Sequence, residues 1–394
     1  MSRSRPDAAA ARDEQESLQL FSADREAIFL DRPNRFTVLC RLREEGRPVR
    51  AHSANPGRML ELLQPGTEIL LSSSPDPKRK TPFTMVAVRR PRDNRVIPLV
   101  SVAANRLASE LILPRLFPEA RLRREVTRGG SRFDFLVESD GKQTWVEVKS
   151  CTLEAHGVAM FPDAATDRGR RHVEELTEIT GANRLVLFVL QGVGADRFVP
   201  DIHTDPRFAV ALRNGADAGV EVRAAAVSCD ETGRATVERF EVPVDFEPVS
   251  AVDSDTGSYI LQLRLDEPRE ITAGKLGNRR FEAGHYLYVG SAMGGLSART
   301  RRHLQRRKRF HWHIDFLRDV ASAAWAYPIY SHSRLECETA AALRELYSEP
   351  IGGFGSSDCG CRSHLFYSRE DPRKAAPFVE LILYYRHHRS LSRP

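Results

Sequence analysis

The sequence predicts a multidomain α/β protein in which a small β-barrel is followed by two mixed α/β units. Three observations lead there. The chain has 394 residues, more than one ordinary hydrophobic core accommodates, so two or three domains are expected. Residues 18–95 break into short β-like runs separated by turn residues, whereas residues 96–248 follow the order α-β-β-β-α-β-α-β. Glu247–Gly257 (EPVSAVDSDTG) has linker composition, which places a linker at 249–257 and a third unit at 258–390.

Residues 1–17 (MSRSRPDAAAARDEQES) lack the apolar centre of a signal peptide and read as a disordered leader. The barrel runs are Phe36–Leu42, Val49–His52, Thr67–Ser72 and Thr81–Arg90, punctuated by Glu45-Gly46, Pro56-Gly57, Pro65-Gly66 and Pro75–Pro77. In the second unit a helix-like stretch, Ala103–Ile112, precedes the strand-like Arg121–Thr127. Arg132–Glu138 then meets Gln143–Cys151 through Asp140-Gly141, a strong hairpin signal. A helix is expected from Thr166 to Ile179, with Val173, Leu176 and Ile179 as its apolar stripe and Gly181 at its C-cap. Arg184–Leu190 reads as a buried strand, Phe208–Ala218 as a helix and Val220–Val227 as a strand. The third unit opens with strands Tyr259–Leu265 and His285–Val289. A basic helix follows, then helices near Trp312–Val320 and Leu335–Tyr347 and a loop rich in Gly and Ser.

Apolar residues make up 41% of the chain, enough for globular folding. Lys and Arg exceed Asp and Glu by 59 to 53. The net charge of +6 is mild, but Arg299–Arg309 (RTRRHLQRRKR) holds seven basic residues and no acid, a run suited to a polyanion. No apolar stretch approaches the ~18 residues of a membrane span. Six cysteines in a chain of this length do not form a disulfide framework, so a reducing, cytoplasmic location is expected.

The hairpin concentrates chemistry. With Asp140 and Gly141 as the two turn residues, the register sets Asp134 opposite Glu147 and Leu136 opposite Trp145, with Lys149 on the same face. Phe133, Phe135, Val137, Val146 and Val148 then form the opposite, apolar face. Like charges directly opposed destabilise a sheet unless something offsets them, and a divalent cation does so. Asp134 and Glu147 are therefore candidate ligands for Mg²⁺ or Mn²⁺, and Lys149 a candidate to orient a water or stabilise developing charge. Glu110, on the preceding helix, is a further acid. His52, Asn55 and Arg58 in one loop, and Arg168 and His172 one helical turn apart, are candidate nucleic-acid contacts.

These residues belong to longer motifs: PNRF (33–36), AHSANPGRM (51–59), RKTPFT (79–84), SRFDF (131–135), VEVKSCTL (146–153), FPDA (161–164), Thr166 and RG-x-x-H-x-x-E-L (168–176). Over roughly residues 20–248 the chain resembles the sugar fermentation stimulation protein A family. The resemblance implies an OB-like barrel followed by a domain similar to the PD-(D/E)XK nucleases, with DNA as ligand. The chain departs from the family at Ala54-Asn55-Pro56-Gly57, where Pro-Asn-Thr-Gly is usual and a hydroxyl is lost.

The last unit carries a second set: GSYIL (257–261), HYLYVGSA (285–292) and a later RLECETAAALREL. A Tyr to exchange a proton with the nucleophile, an Arg to grip phosphate and a Glu to hold one Mg²⁺ suit a phosphodiester. Arg299, Arg302 and His303 share a face of the basic helix, and Arg306 continues it. The section resembles the GIY-YIG nuclease superfamily, and more closely a GIY-YIG-like family of unknown function, in YVGSAMGGL (288–296), HWHIDFL (311–317) and GFGSSDCGCRSHLFY (353–367). The resemblance carries catalytic roles to Tyr259, Tyr288, Arg299 and Glu336, with Glu336 the metal ligand; Ser258 stands where Ile is usual. Arg302, His303 and Arg306 are expected on nucleic acid. For Cys359-x-Cys361-x-x-His364, with Cys337 as a fourth ligand, structural Zn²⁺ is the alternative to packed or free thiols, which is the preferred reading.

The function expected is a DNA-binding protein with Mg²⁺-dependent nuclease sites. The alternatives are a non-catalytic DNA-binding regulator of gene expression and an RNA-processing nuclease.

Overall fold

The structure, a computed structural model, describes residues 16–391 apart from Pro77 and Val193. The expected leader lies outside the described residues up to residue 15. A first short strand, β1 (Ser17–Gln19), crosses to the second unit, where it pairs antiparallel with the last strand of that sheet.

The barrel is built from β2 (Arg25–Asn34), β3 (Thr37–Leu42), β4 (Pro48–Ser53), β5 (Glu68–Ser73), β6 (Phe83–Arg89) and β7 (Val96–Pro98). Its order is β4-β3-β2-β5-β6-β7, and a parallel pairing of β4 with β6 closes it, which gives the expected OB-like topology. Alternating residues such as Ala27, Phe29, Val38, Cys40, Ile69 and Leu71 fill its interior. Val96–Pro98 still pairs with β6, so the barrel sheet runs past the boundary expected at residue 95.

The second unit follows as α1 (Ala103–Leu107), a single π-helical turn (Ala108–Ile112) and α2 (Leu113–Leu116). A meander of β8 (Arg121–Arg128), β9 (Ser131–Ser139) and β10 (Lys142–Cys151) comes next, then the small strands β11 (Glu154–Ala155) and β12 (Val158–Phe161). After α3 (Asp167–Thr177) come β13 (Asn183–Gln191), β14 (Arg197–Pro200), α4 (Pro206–Asp217), β15 (Glu221–Cys229) and β16 (Arg234–Arg239). The seven-stranded sheet has the order β1-β16-β15-β13-β10-β9-β8, with β10, β13 and β15 parallel and the rest antiparallel. The parallel strands are buried on both faces, which explains why β13 reads as one continuous apolar run. Thr166 and Asp205 cap α3 and α4 by accepting the N–H of Gly169 and Phe208. α3 ends at Thr177, short of the expected Ile179, and Gly181 turns the chain in the loop beyond at φ +74°.

The expected linker is ordered. Ser250–Asp253 forms α5, Val249 and Ala251 are buried against the third unit's core, and Arg213 holds Asp253 at 2.6 Å. Linker composition misled because small and acidic residues also suit a short buried helix. The third unit comprises β17 (Thr256–Leu265), a hairpin of β18 (Arg269–Thr272) and β19 (Asn278–Phe281), β20 (Gly284–Met293) and α6 (Leu296–Leu304). It continues through α7 (His313–Val320), β21 (Ala323–Tyr330), α8 (Glu336–Leu346), β22 (Leu365–Ser368) and α9 (Ala376–His387). Its antiparallel sheet has the order β21-β17-β20-β22. The basic helix ends at Leu304, so Arg306 lies beyond it rather than on its face.

The units are not beads on a string. Val379 and Leu383 of α9 share an apolar cluster with Leu153, Ala155, Val158, Met160 and Val199 of the second unit. His387 Nδ1 lies 3.1 Å from the Val158 carbonyl, Gln64 of the barrel donates to the Arg373 carbonyl, and the Tyr330 N–H donates to His203 Nδ1. Among the described residues no helix is long and apolar enough to cross a membrane.

Candidate functional site

The hairpin register is the expected one: Lys142 pairs with Ser139, Trp145 with Leu136 and Val146 with Phe135. The ladder stops there. β10 continues along β13 as far as Cys151, while β9 diverges from it, so Asp134 and Glu147 are not a paired couple. Asp134 reaches into the opening instead. Its Oδ2 accepts the Val148 N–H at 2.8 Å, replacing the lost ladder acceptor, and its Oδ1 accepts from Asn105 Nδ2 of α1 at 2.7 Å. The divergence also breaks the alternation of β9. Phe133, expected on the face of Phe135, packs instead with Trp145 and His172, at ring distances of 5.7 and 6.1 Å.

Glu147 is the centre of the cluster. Lys149 Nζ donates to Glu147 Oε1 at 2.5 Å, and His172 Nδ1 of α3 lies 2.6 Å from the same oxygen. Arg168 Nε in turn approaches His172 Nε2 at 3.4 Å. All three of Glu147, Lys149 and His172 are buried, and Glu147 Oε2 is buried with no hydrogen-bond partner. Burial, then the nearby charge of Glu147, pushes the Asp134 carboxyl above its usual value. Burial acts the same way on Glu147, but the hydrogen bond to His172 and the charge of Lys149 outweigh it and hold this carboxyl below its usual value. Glu110 is not part of the cluster: it is exposed and pairs with Arg106 at 3.2 Å. Asn105 is the helix residue that reaches Asp134, and periodicity alone does not reveal it. Two carboxylates, one with a bare oxygen, make a set that fits a hard divalent cation.

The loop with Asn55 and Arg58 abuts the FPDA segment. Asn55 Oδ1 accepts the Gly57 N–H at 2.9 Å, and Gly57 lies so close to Asp163 that a Cβ there would meet its Oδ2 at 2.0 Å. A cleft of about 350 Å³ between the two segments is lined by Arg35, Asn55, Ser150, Asp163, Thr166 and Gln191. Arg58 is exposed, and His52 is half-buried in β4 opposite Thr84.

In the third unit Tyr259, Tyr288, Arg299 and Glu336 line one cleft of about 470 Å³. Tyr259 and Tyr288 come from the neighbouring strands β17 and β20, Arg299 from α6 and Glu336 from the first position of α8. Gly290 is needed for this packing, since a Cβ there would lie 2.4 Å from the Tyr259 hydroxyl. Gly290→Ala is therefore expected to displace Tyr259 and cost about 1–3 kcal/mol, read from urea unfolding. Tyr259 Oη lies 2.9 Å from His303 Nε2, and Arg299 stacks 4.4 Å over Trp312. Ser291 Oγ donates to Glu336 Oε2 at 2.5 Å, and His364 Nδ1 lies 3.1 Å from its Oε1. Burial drives both phenols well above their usual value, Tyr259 with a further push from Tyr288 and Tyr288 from Glu336.

Arg302 and His303, expected on nucleic acid, turn inward. The fully buried Asp315 accepts from Arg302 at 2.9 and 3.1 Å, from Lys308 at 3.0 Å and from the N–H groups of His311 and Trp312. A buried carboxylate requires such partners, and this one draws both cations from the basic run. Arg306 donates to the Asp319 carbonyl at 2.8 Å, leaving Arg301, Arg307 and Arg309 as further exposed cations of the segment.

Comparison with known proteins agrees with this division. Residues 30–98 match the SfsA N-terminal OB domain, residues 102–233 the sugar fermentation stimulation protein RE domain, and residues 258–383 the domain of unknown function DUF123. A sugar fermentation stimulation protein homolog of Methanothermobacter thermautotrophicus is 41% identical over 200 residues, covering 49% of this chain and 82% of that one. The homolog of Thermotoga neapolitana is 43% identical over 200 residues, covering 50% and 86%. The solved structure of Pyrococcus furiosus SfsA in complex with Ca²⁺ is 28% identical, aligns with a TM-score of 0.52 and covers 58% of this chain and 99% of that one. By sequence, domain order and fold, the chain belongs to the sugar fermentation stimulation protein family, with a DUF123 domain joined to it.

Proposed function

We propose that the chain binds DNA and hydrolyses phosphodiester bonds with the help of Mg²⁺ or Mn²⁺, at the Asp134–Glu147–Lys149 cluster and in the third-unit cleft. The bare, buried Oε2 of Glu147 carries the reading. Buried polar atoms are nearly always satisfied, and an exception beside a second carboxylate is what a cation site requires. The Ca²⁺ held by the Pyrococcus furiosus relative supports a hard-cation site in this family. Asp134, Glu147 and Glu336 are the residues that would hold such ions. When bound, the ion polarises a phosphoryl oxygen and lowers the pKa of an attacking water.

The chain's own groups do the rest. His172 and Lys149 fix Glu147 Oε1 and so orient the bare oxygen, and Lys149 sets a positive charge where negative charge develops. In the third unit Arg299 grips phosphate, while Tyr259 and Tyr288 are neutral phenols rather than phenolates. Tyr259 acts as a base only after giving up its proton; His303 Nε2, at 2.9 Å, is the nearest acceptor, and burial lowers its own affinity for that proton. Arg58, Arg168 and the exposed arginines after α6 supply phosphate contacts.

Plasmid, branched DNA and RNA incubated with Mg²⁺ or Mn²⁺ test this. The doubly substituted Glu147→Ala, Glu336→Ala protein is expected to lose cleavage by about a hundredfold or more while retaining salt-dependent DNA binding. Equal cleavage by the variant rejects catalysis at these residues. Binding without turnover by the unaltered chain leaves a DNA-binding regulator, and a 2′-hydroxyl preference redirects the reading to RNA.

A further inference from the structure

Cys337 follows Glu336 in the first turn of α8, and Cys359, Cys361 and His364 lie in the loop before β22. Spacing alone did not bring Cys337 to the others, yet the ligating atoms of all four lie within 4.8 Å of one another. Cys359 Sγ is 3.5 Å from His364 Nε2. A tetrahedral zinc with Zn–S of about 2.3 Å and Zn–N of about 2.0–2.1 Å holds such a pair about 3.6 Å apart. His364 is buried and the cysteines are progressively more open, as expected of a site at the rim of a fold.

The loop needs a fastening. No helix or strand occurs between Leu346 and Leu365, and few backbone bonds close the segment, among them Gly353 N–H to the Arg362 carbonyl and His364 N–H to the Phe354 carbonyl. The same loop walls the third-unit cleft through Phe354, Gly355, Ser357 and Asp358. His364 faces both ways: Nε2 towards the thiols, and Nδ1 at 3.1 Å from Glu336 Oε1. A zinc-binding histidine commonly uses its second nitrogen on a carboxylate in this manner, which fixes the ring and raises its affinity.

We propose that Cys337, Cys359, Cys361 and His364 bind one structural Zn²⁺, and that His364 ties this zinc to Glu336. The zinc fastens the loop that forms the cleft wall. The zinc site and its tie to Glu336 rest on these contacts; only the bearing of the tie on catalysis rests on the reading of Glu336 as part of the cleft's chemistry.

The full chain, purified reduced and dialysed into metal-free buffer, is expected to retain one zinc per chain by atomic emission. Exchange for Co²⁺ is expected to give the visible bands and the thiolate-to-metal charge transfer of tetrahedral cobalt. Combined Cys359→Ser and Cys361→Ser is expected to lose both; should that variant fold poorly, the cobalt spectrum of the unaltered chain decides alone. Substoichiometric zinc with no thiolate band, or a disulfide among these cysteines in the native chain, overturns the site. Glu336→Ala is expected to weaken zinc by about ten- to hundredfold in chelator competition. Unchanged affinity overturns the tie to Glu336. None of these readings depends on cleavage, so the site and the nuclease reading stand or fall separately.

Discussion

Glu147→Gln is expected to abolish the stabilisation that Mg²⁺ or Ca²⁺ would confer on the central unit at the proposed site. In the unaltered cluster a cation binding only the folded state contributes about 2.7 kcal/mol at a concentration a hundredfold above its Kd, enough to raise the unfolding midpoint by several degrees. The effect is read by thermal unfolding in a Glu336→Ala background, so that the third-unit cleft adds nothing. Gln keeps the size and one acceptor for Lys149 and His172, while the bare oxygen of Glu147 is exchanged for an amide or a neutral carbonyl. Asp134 stays beside Lys149, so the cation retains an anionic neighbour. A midpoint that still rises with Mg²⁺ or Ca²⁺ as it does in the parent removes Glu147 from the metal site.

Asp315→Ala is the second large effect, and it concerns stability. The carboxylate is fully buried and accepts from Arg302, Lys308 and two backbone N–H groups, with His303 Nδ1 at 3.7 Å. Removing it leaves the buried Lys308 side chain with only the Arg302 and His303 carbonyls for its charge, and costs about 3–5 kcal/mol. Urea unfolding followed by the fluorescence of Trp312, which stacks on Arg299 and Arg302, reports the change in the third unit. Burial acts to raise the Asp315 carboxyl, but the neighbouring His303 and the hydrogen bonds from Arg302 and the backbone prevail and depress it strongly. A carboxyl depressed on folding stabilises fully above its unfolded value of about 3.9 and loses that contribution as pH falls. The gap between parent and variant is therefore expected to be constant from neutral pH down to about 5 and to narrow below 4. A difference under about 1 kcal/mol at neutral pH would mean that Arg302 and Lys308 find other partners.

What the chain revealed beforehand depended on how local the cause was. The Asp140-Gly141 turn fixes register through neighbouring residues, and Trp145–Leu136 pairs as read. Three positions further on the reading fails at Phe133, because the parting of β9 from β10 answers to the docking of β10 on β13, which periodicity does not carry. β2 is hard to read because its apolar run, Ala27–Leu30, is short, has no alternation, and lies between charged residues in a strand that ends in Pro33-Asn34. Tyr259, Tyr288, Arg299 and Glu336 were legible as a set through long motifs, and one cleft holds them all. Arg302, His172 and His303 were misjudged for one reason. A charged or polar side chain on a helix reads as surface until its buried partner, Asp315, Glu147 or Tyr259, is known. Cys337 stood apart from the other thiols for the same reason: only the packing of α8 against the final loop unites them.

The last helix keys the third unit into the seam of the other two through Val379 and Leu383. The third unit is therefore anchored on the second through its last helix. Cutting the chain short of α9 would uncover Leu153, Val158 and Val199 of the second unit as well as take one helix from the third.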